Sequence, residues 1–106
     1  MAWSVTLKES VIADLHWFGR KDGRLLLRAA KERLAADPTA ETRNMKTLRL
    51  NPVAQRELRL FGNYRALFNV DASAEVVTIV LVGEKRGDSL LVQGEEFTAH
   101  ESDPAE

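Results

Sequence analysis

Two arginines, Arg59 and Arg65, stand six residues apart in the stretch Arg56 to Phe68, R-E-L-R-L-F-G-N-Y-R-A-L-F. Leu58 and Leu60 alternate with Glu57 and Arg59; Tyr64, Ala66 and Phe68 alternate with Arg65, Leu67 and Asn69. A period of two predicts two strands, each apolar on one face. Between them Gly62-Asn63 supplies turn residues that tolerate positive φ. Such a hairpin displays Arg59 and Arg65 side by side on the face away from the leucines. Two guanidiniums fixed on a rigid sheet make a pincer for a phosphate, because each planar fork donates in pairs to anionic oxygens. Glu57 shares the face of Arg59, as a proton acceptor or as an ion-pair partner.

Other cations surround this pair. Lys46 and Arg49 fall in the alternating segment Met45 to Leu50, and Lys85 and Arg86 follow the most apolar run of the chain. From Arg20 to Arg65 there are 12 Lys/Arg against 5 Asp/Glu, a balance of +7; from Ala66 to Glu106 there are 2 against 9, a balance of −7. The net charge of −1 therefore hides a basic middle and an acidic end. That division suits a surface for polyanions beside a segment able to screen it; the plainer reading is that helix surfaces and tails simply carry such charges. Gly83-Glu84-Lys85-Arg86-Gly87 lacks the lysine and Ser/Thr spacing of a phosphate-cradling loop. Two histidines, His16 and His100, and no cysteine leave no set of metal ligands, and neither a metal nor an organic cofactor is expected.

The elements that must hold these residues follow from periodicity. Trp3, Val5 and Leu7 alternate with polar residues as a first strand over Ala2 to Lys8. Val11, Ile12, Leu15 and Phe18 recur at helical spacing from Glu9 or Ser10, and Gly19 stops that helix. A second helix runs from Asp22 or Gly23 to Asp37-Pro38, with Leu26, Leu27, Ala30 and Leu34 inward. The narrow stripes of both helices predict a helical hairpin that covers one side of a sheet. Met45 to Leu50 reads as a short strand or extended arm, followed by the hairpin. Val76 to Val82 is β-branched nearly throughout and reads as a central strand buried on both faces, broken at Gly83. Ser89 to Gln93 adds a short strand, and the acidic residues from Gly94 onward read as a loose end. A strand, two helices and then a run of strands predict an α+β fold with one antiparallel sheet and the helices on one face.

The 106 residues suffice for one core. Residues 1–93 are expected to form the domain and 94–106 an acidic C-terminal tail. Without a basic start followed by an apolar segment, and without an apolar run long enough to span a bilayer, a cytoplasmic location and no membrane partner are expected. The lack of cysteine suits a reducing compartment.

The element order and several strings resemble the RelE/ParE superfamily of toxins from type II toxin–antitoxin systems. The strings are Asp37-Pro38, Lys46-x-Leu48, Glu57-Leu58-Arg59, Tyr64-Arg65-Ala66-Leu67-Phe68 and Val82-Gly83-x-Lys85, spread over about residues 3–92. The resemblance implies two activities. RelE-like members enter the ribosomal A site and cleave the exposed mRNA; ParE-like members poison DNA gyrase without cutting RNA. Both are neutralised by an antitoxin that wraps the toxin, so a cognate antitoxin is the implied partner. By the RelE pattern Arg59 and Arg65 bind the scissile phosphate, Lys46 and Arg49 lie in the preceding arm, and Lys85 or Arg86 supplies the cation after the last core strand. Two departures stand out. Glu57 replaces a strand lysine, and the C-terminal tyrosine or histidine of some members has no counterpart, Leu91 being nearest and His100 too far along.

An mRNA endonuclease is the leading expectation, with Arg59, Arg65, Arg86 and Glu57 as catalytic candidates and Lys46, Arg49 and Lys85 as nucleic-acid contacts. A gyrase poison, or a non-toxic homologue acting as a protein-binding module, is the alternative. In the last case the tail residues Glu95, Glu96, Glu101 and Asp103 lie over the arginines as a brake.

Overall fold

The computed structural model describes residues 3–97. Strand β1 (Ser4–Leu7) leads into α1 (Glu9–Trp17) and α2 (Arg20–Ala36), followed by β2 (Met45–Thr47), β3 (Arg56–Leu60), β4 (Tyr64–Asp71), β5 (Val76–Arg86), β6 (Ser89–Val92) and β7 (Glu95–Phe97). The sheet order is β2-β3-β4-β5-β6-β7 with every neighbour antiparallel, and β1 joins β5 in parallel. The α+β architecture is the one the periodicity predicts. Its one parallel pair arises because the two helices carry the chain from β1 back across one face of the sheet.

That face holds the main core. Val11 and Leu15 from α1 and Leu26, Ala30 and Leu34 from α2 pack on Leu58, Leu60, Ala66, Phe68, Val77, Ile79 and Val82. A smaller cluster around Ala54, Leu67 and Leu81 lies apart from it, with Leu48, Leu90 and Phe97 packed against it. Residues Val77 and Ile79 belong to the helix-side core while Leu81 joins the other cluster, and then Val82 returns to the helix side. Strict alternation forbids this. A break in register between Leu67 and Phe68, which pair with Leu81 and Ile79, leaves Val80 as the extra residue of a bulge that resets the pattern.

Several boundaries differ from expectation for physical reasons. The expected turn Gly19 to Gly23 is mostly helix: Gly19, at φ 92, alone makes the reversal, and α2 starts at Arg20. Gly23 is buried inside α2, where an added Cβ would come within 2.6 Å of the Leu15 carbonyl oxygen. It is a contact glycine between helices, not a turn glycine. Gly23→Ala should therefore destabilise the protein by ~1–3 kcal/mol in denaturant unfolding, although alanine is the better helix former. Gly83 does not break β5 either. The strand runs on to Arg86, and the missing side chain lets β6 lie close, since a Cβ there would meet the Leu91 carbonyl oxygen at 2.6 Å. The positive-φ turn residues of the β3–β4 hairpin are Phe61 (φ 51) and Gly62 (φ 80), one position before the expected Gly62-Asn63. Leu60 pairs with Tyr64, so the loop is Phe61 to Asn63. At the C-terminal end, Glu95 to Phe97 form β7 rather than the start of a loose tail. His100, Glu101 and Asp103 lie outside the described residues.

Arg56 is a further departure from simple patterning. It shares the parity of Leu58 and Leu60 and is buried, with its guanidinium donating to the carbonyl oxygens of Pro38 and Ala40 and pairing with Glu41 at 2.8 Å. The Thr47 hydroxyl, donating to the Glu41 carboxylate at 2.6 Å, and secondarily Arg56 hold the Glu41 carboxyl below its usual range. Arg56 thus ties the loop after α2 to the sheet and is spent on structure.

Candidate functional site

The face of the sheet away from the helices carries the arginine pair. Arg59 on β3 and Arg65 on β4 are direct cross-strand partners, so their side chains leave the sheet on the same side. Gly83 on β5 is the next partner of Arg65 and adds no side chain to crowd it. Glu57 pairs with Lys46 on β2 and with Leu67 on β4, which sets Lys46 and Glu57 on this face too. Leu58 and Leu60, at the alternate positions, supply the buried layer beneath.

A groove of about 270 Å³ opens on this face. Arg49, Glu57, Arg65, Lys85 and Asp88 contribute its charged lining, and Leu48, Leu50, Leu67, Leu90 and Phe97 its apolar lining. Four candidate residues from separate parts of the chain (Arg49, Glu57, Arg65 and Lys85) are therefore brought to one cavity. Arg59 stands beside them through its pairing with Arg65. Lys46 is exposed on the edge strand and is not part of the lining. Arg86 is not brought to the groove: strand alternation turns it to the opposite face, where its Nε lies 3.5 Å from Glu84. Of the two cations after the core strand, the structure brings Lys85 and not Arg86 to the groove.

The two arginines are in different states. Arg65 is only 7% exposed; its Nη1 donates to the carbonyl oxygens of Gly62 (2.9 Å) and Tyr64 (3.0 Å), and its Nε lies 3.4 Å from a Glu57 carboxylate oxygen. It is not the open guanidinium expected from alternation, because the turn carbonyls draw its head back over the hairpin. Burial pulls its pKa below the ordinary arginine value, Glu57 opposes that shift, and the neighbouring charge of Arg59 adds to it. Arg59 is half-buried, and its Nε is a buried side-chain nitrogen with no hydrogen-bond partner among the described residues. Leaving a charged donor unbound costs more than leaving a neutral one. An anion placed on the Arg59 guanidinium would lower the repulsion between the paired cations.

The approach to the groove is shaped by Asn51. Its Oδ1 accepts from the backbone N–H groups of Val53 (2.8 Å) and Ala54 (3.0 Å), and its Nδ2 donates to the carbonyls of Arg49 (2.7 Å) and Ala54 (3.0 Å). All four bonds serve to fix the loop that carries Arg49 and Leu50 to the groove; Leu50 itself is 97% exposed. Alternation and charge alone do not mark Asn51, Asp88 or Phe97 as groove residues. Asn-Pro at 51–52 is a turn signal that points to the first; the other two depend on where β6 and β7 fold. Among the described residues no group of His, Cys, Asp or Glu is arranged to hold a metal ion, and no helix is long and apolar enough to cross a membrane.

No family model matches the sequence, and a comparison with curated proteins finds no match. Solved structures do match. The chain is similar to a chain of the RelBE2 toxin–antitoxin complex from Mycobacterium tuberculosis, at a TM-score of 0.69 and 24% identity over 80% of this chain and 93% of that one. It is also similar to the isolated E. coli RelE toxin, at a TM-score of 0.60 and 22% identity over 82% of this chain and 89% of that one. The helical hairpin, the strand meander on which it packs and the arginine-bearing hairpin are thus parts of a fold like that of RelE.

Proposed function

We propose that this protein is the toxin of a type II toxin–antitoxin system and acts as a RelE-like, ribosome-dependent mRNA endonuclease. The observation that carries the reading is the Arg59–Arg65 cross-strand pair, set on the sheet face where a groove is lined by Arg49, Arg65 and Lys85. In RNA cleavage the 2′-hydroxyl attacks the adjacent phosphorus, negative charge builds on the phosphoryl oxygens, and the bond to the 5′-oxygen breaks. Preorganised cations at those oxygens lower the barrier. Arg59 and Arg65 take that role, the second held in place by Glu57 and the turn carbonyls. Glu57 is the carboxylate beside both arginines and accepts the 2′-hydroxyl proton. Arginine hardly ever releases a proton, so Lys85 is the lining cation able to protonate the leaving oxygen.

A ParE-like gyrase poison is the second reading. It is favoured by one observation: Arg65 is already engaged by Gly62, Tyr64 and Glu57, as a purely structural arginine would be. Induction of the protein with mRNA and plasmid topology both followed separates the two. Cleaved transcripts with normal supercoiling support the endonuclease; intact transcripts with linear or relaxed DNA support the poison.

The partner is an antitoxin, and its helical docking surface lies on the α1–α2 side. An open cavity of about 530 Å³ there is lined by Leu7, Ile12, Leu15 and Leu27, with Arg20 and Arg24 at its border. Ile12 is 50% exposed, and Lys21, Arg28 and Lys31 extend the basic surface along α2. Apolar side chains among cations suit an amphipathic helix with acidic flanks. Ile12→Glu combined with Arg24→Glu should abolish growth rescue by the co-expressed antitoxin while growth inhibition in its absence persists. Undiminished rescue would exclude this surface.

A further inference from the structure

Asp14 is a buried carboxylate on the apolar stripe of α1, only 4% exposed, and the groove chemistry does not use it. Its Oδ2 accepts from the backbone N–H of Val82 at 3.1 Å. That amide lies where β1 has stopped pairing with β5, at Ile79, and β6 has not begun, at Glu84. The carboxylate thus satisfies a donor in the gap between two strands on one edge of β5. Its Oδ1 accepts from the Gln93 side-chain amide at 2.8 Å. Gln93 and Gly94, at φ 52 and φ 82, form the turn between β6 and β7. A second contact holds the same turn: a Cβ on Gly94 would come within 2.8 Å of Cζ2 of Trp17, so the indole lies directly against the glycine.

Among the described residues the β6–β7 hairpin pairs with the rest of the sheet through Glu84–Leu91, Lys85–Leu90 and Arg86–Ser89. Leu90, Val92 and Phe97 pack on the smaller cluster from the groove side, while the turn itself is held from the helix side by Asp14 and Trp17. Yet Leu90 and Phe97, partners across this hairpin, form one apolar wall of the groove on the opposite face of the sheet. We propose that Asp14, Gln93 and the Trp17–Gly94 contact form a latch by which α1 sets that wall, making Asp14 and Gln93 positioning residues for the groove. The inference rests on the groove being the functional site, but the latch has a readout that does not depend on what the groove does.

Hydrogen exchange of the full chain supplies that readout. Gln93 is exposed, so Gln93→Ala removes the Asp14 arm of the latch with little demand on the core. Amides of residues 89–97 should then exchange about tenfold faster or more, while those of β3 and β4 keep their protection. Gly94→Ala should do the same by forcing Trp17 away. Asp14→Asn keeps the acceptor for Val82 and can pair with a turned Gln93 amide, so it should restore most of the protection that Asp14→Ala loses. Unchanged exchange over 89–97 in both Gln93→Ala and Gly94→Ala would overturn the latch. In the mRNA cleavage assay a latch variant should lose kcat more than it gains KM. Faster exchange with unaltered cleavage would overturn the positioning role while leaving the endonuclease reading intact; faster exchange with lost kcat supports it.

Discussion

Arg59→Ala should reduce ribosome-dependent mRNA cleavage by about a hundredfold or more, the range seen when one preorganised charge-stabilising donor is removed. The fold should survive, because Arg59 is half-buried on the face away from the main core and its Nε has no hydrogen-bond partner among the described residues. Arg65→Ala should lose as much activity and some stability besides, since its Nη1 bonds to Gly62 and Tyr64 fix the hairpin turn. Two lost bonds of this kind amount to ~1–3 kcal/mol. The control is Arg86→Ala. That side chain is exposed, points to the other face beside Glu84, and should leave cleavage within about a factor of two. Single-turnover cleavage with denaturant curves on the same variants separates the chemical loss from the structural one. Equal losses for Arg59→Ala and Arg86→Ala would mean that general charge, not the cross-strand pair, drives the activity.

Phe68→Ala should cost ~3–5 kcal/mol, the range for truncating a large aromatic side chain in a well-packed core. Phe68 is fully buried, pairs with Arg56 across β3 and β4, and lies at the register shift where β5 bulges. Its ring also lies under the Arg56 guanidinium, 5.9 Å from ring centroid to Cζ. Truncation therefore opens a cavity and loosens the cation that ties the α2–β2 loop to the sheet. With total stability of a small domain at ~5–15 kcal/mol, much of the margin would go. Urea unfolding monitored by tryptophan fluorescence measures it. A loss below about 1 kcal/mol would show that the core around the bulge repacks freely.

What alternation and helical spacing can reveal, they do reveal. The β3–β4 hairpin, the shared face of Arg59 and Arg65, the helices on one side of the sheet and the length of the apolar stripes all follow from side-chain periods within single elements. The features that periodicity misreads depend on contacts between elements. Gly23 and Gly83 look like breakers in sequence, yet each sits where another backbone passes too close for a Cβ. The destinations of Lys85 and Arg86 depend on β5 continuing past Gly83, which fixes their parity; a strand ending at Gly83 leaves both open. The Val80 bulge lets one apolar run serve two cores, a shift that no period reports. Two further residues carry a legible signal that alternation alone passes over. Asp14 falls three after Val11 on an apolar stripe, and Arg56 falls two before Leu58; a charged residue in phase with buried ones signals a satisfied internal partner.

The divergent states of the two arginines also explain why composition says so little about the site. A balance of +7 over the middle of the chain includes Arg56, spent on loop carbonyls, and the cations of α2, which face away from the groove. The electrostatic part of the site is local: Arg59 half-buried beside its cross-strand partner, Arg65 buried and braced, Lys85 and Arg49 on the groove lining.

Programmed ribosomes stalled with a defined codon in the A site offer the most direct measurement, with purified protein added and the mRNA mapped by primer extension. If the paired arginines hold a scissile phosphate, one dominant break falls within that codon, absent without ribosomes and absent with Arg59→Ala. Transcripts that remain intact with the wild-type protein bound to the ribosome would contradict that role.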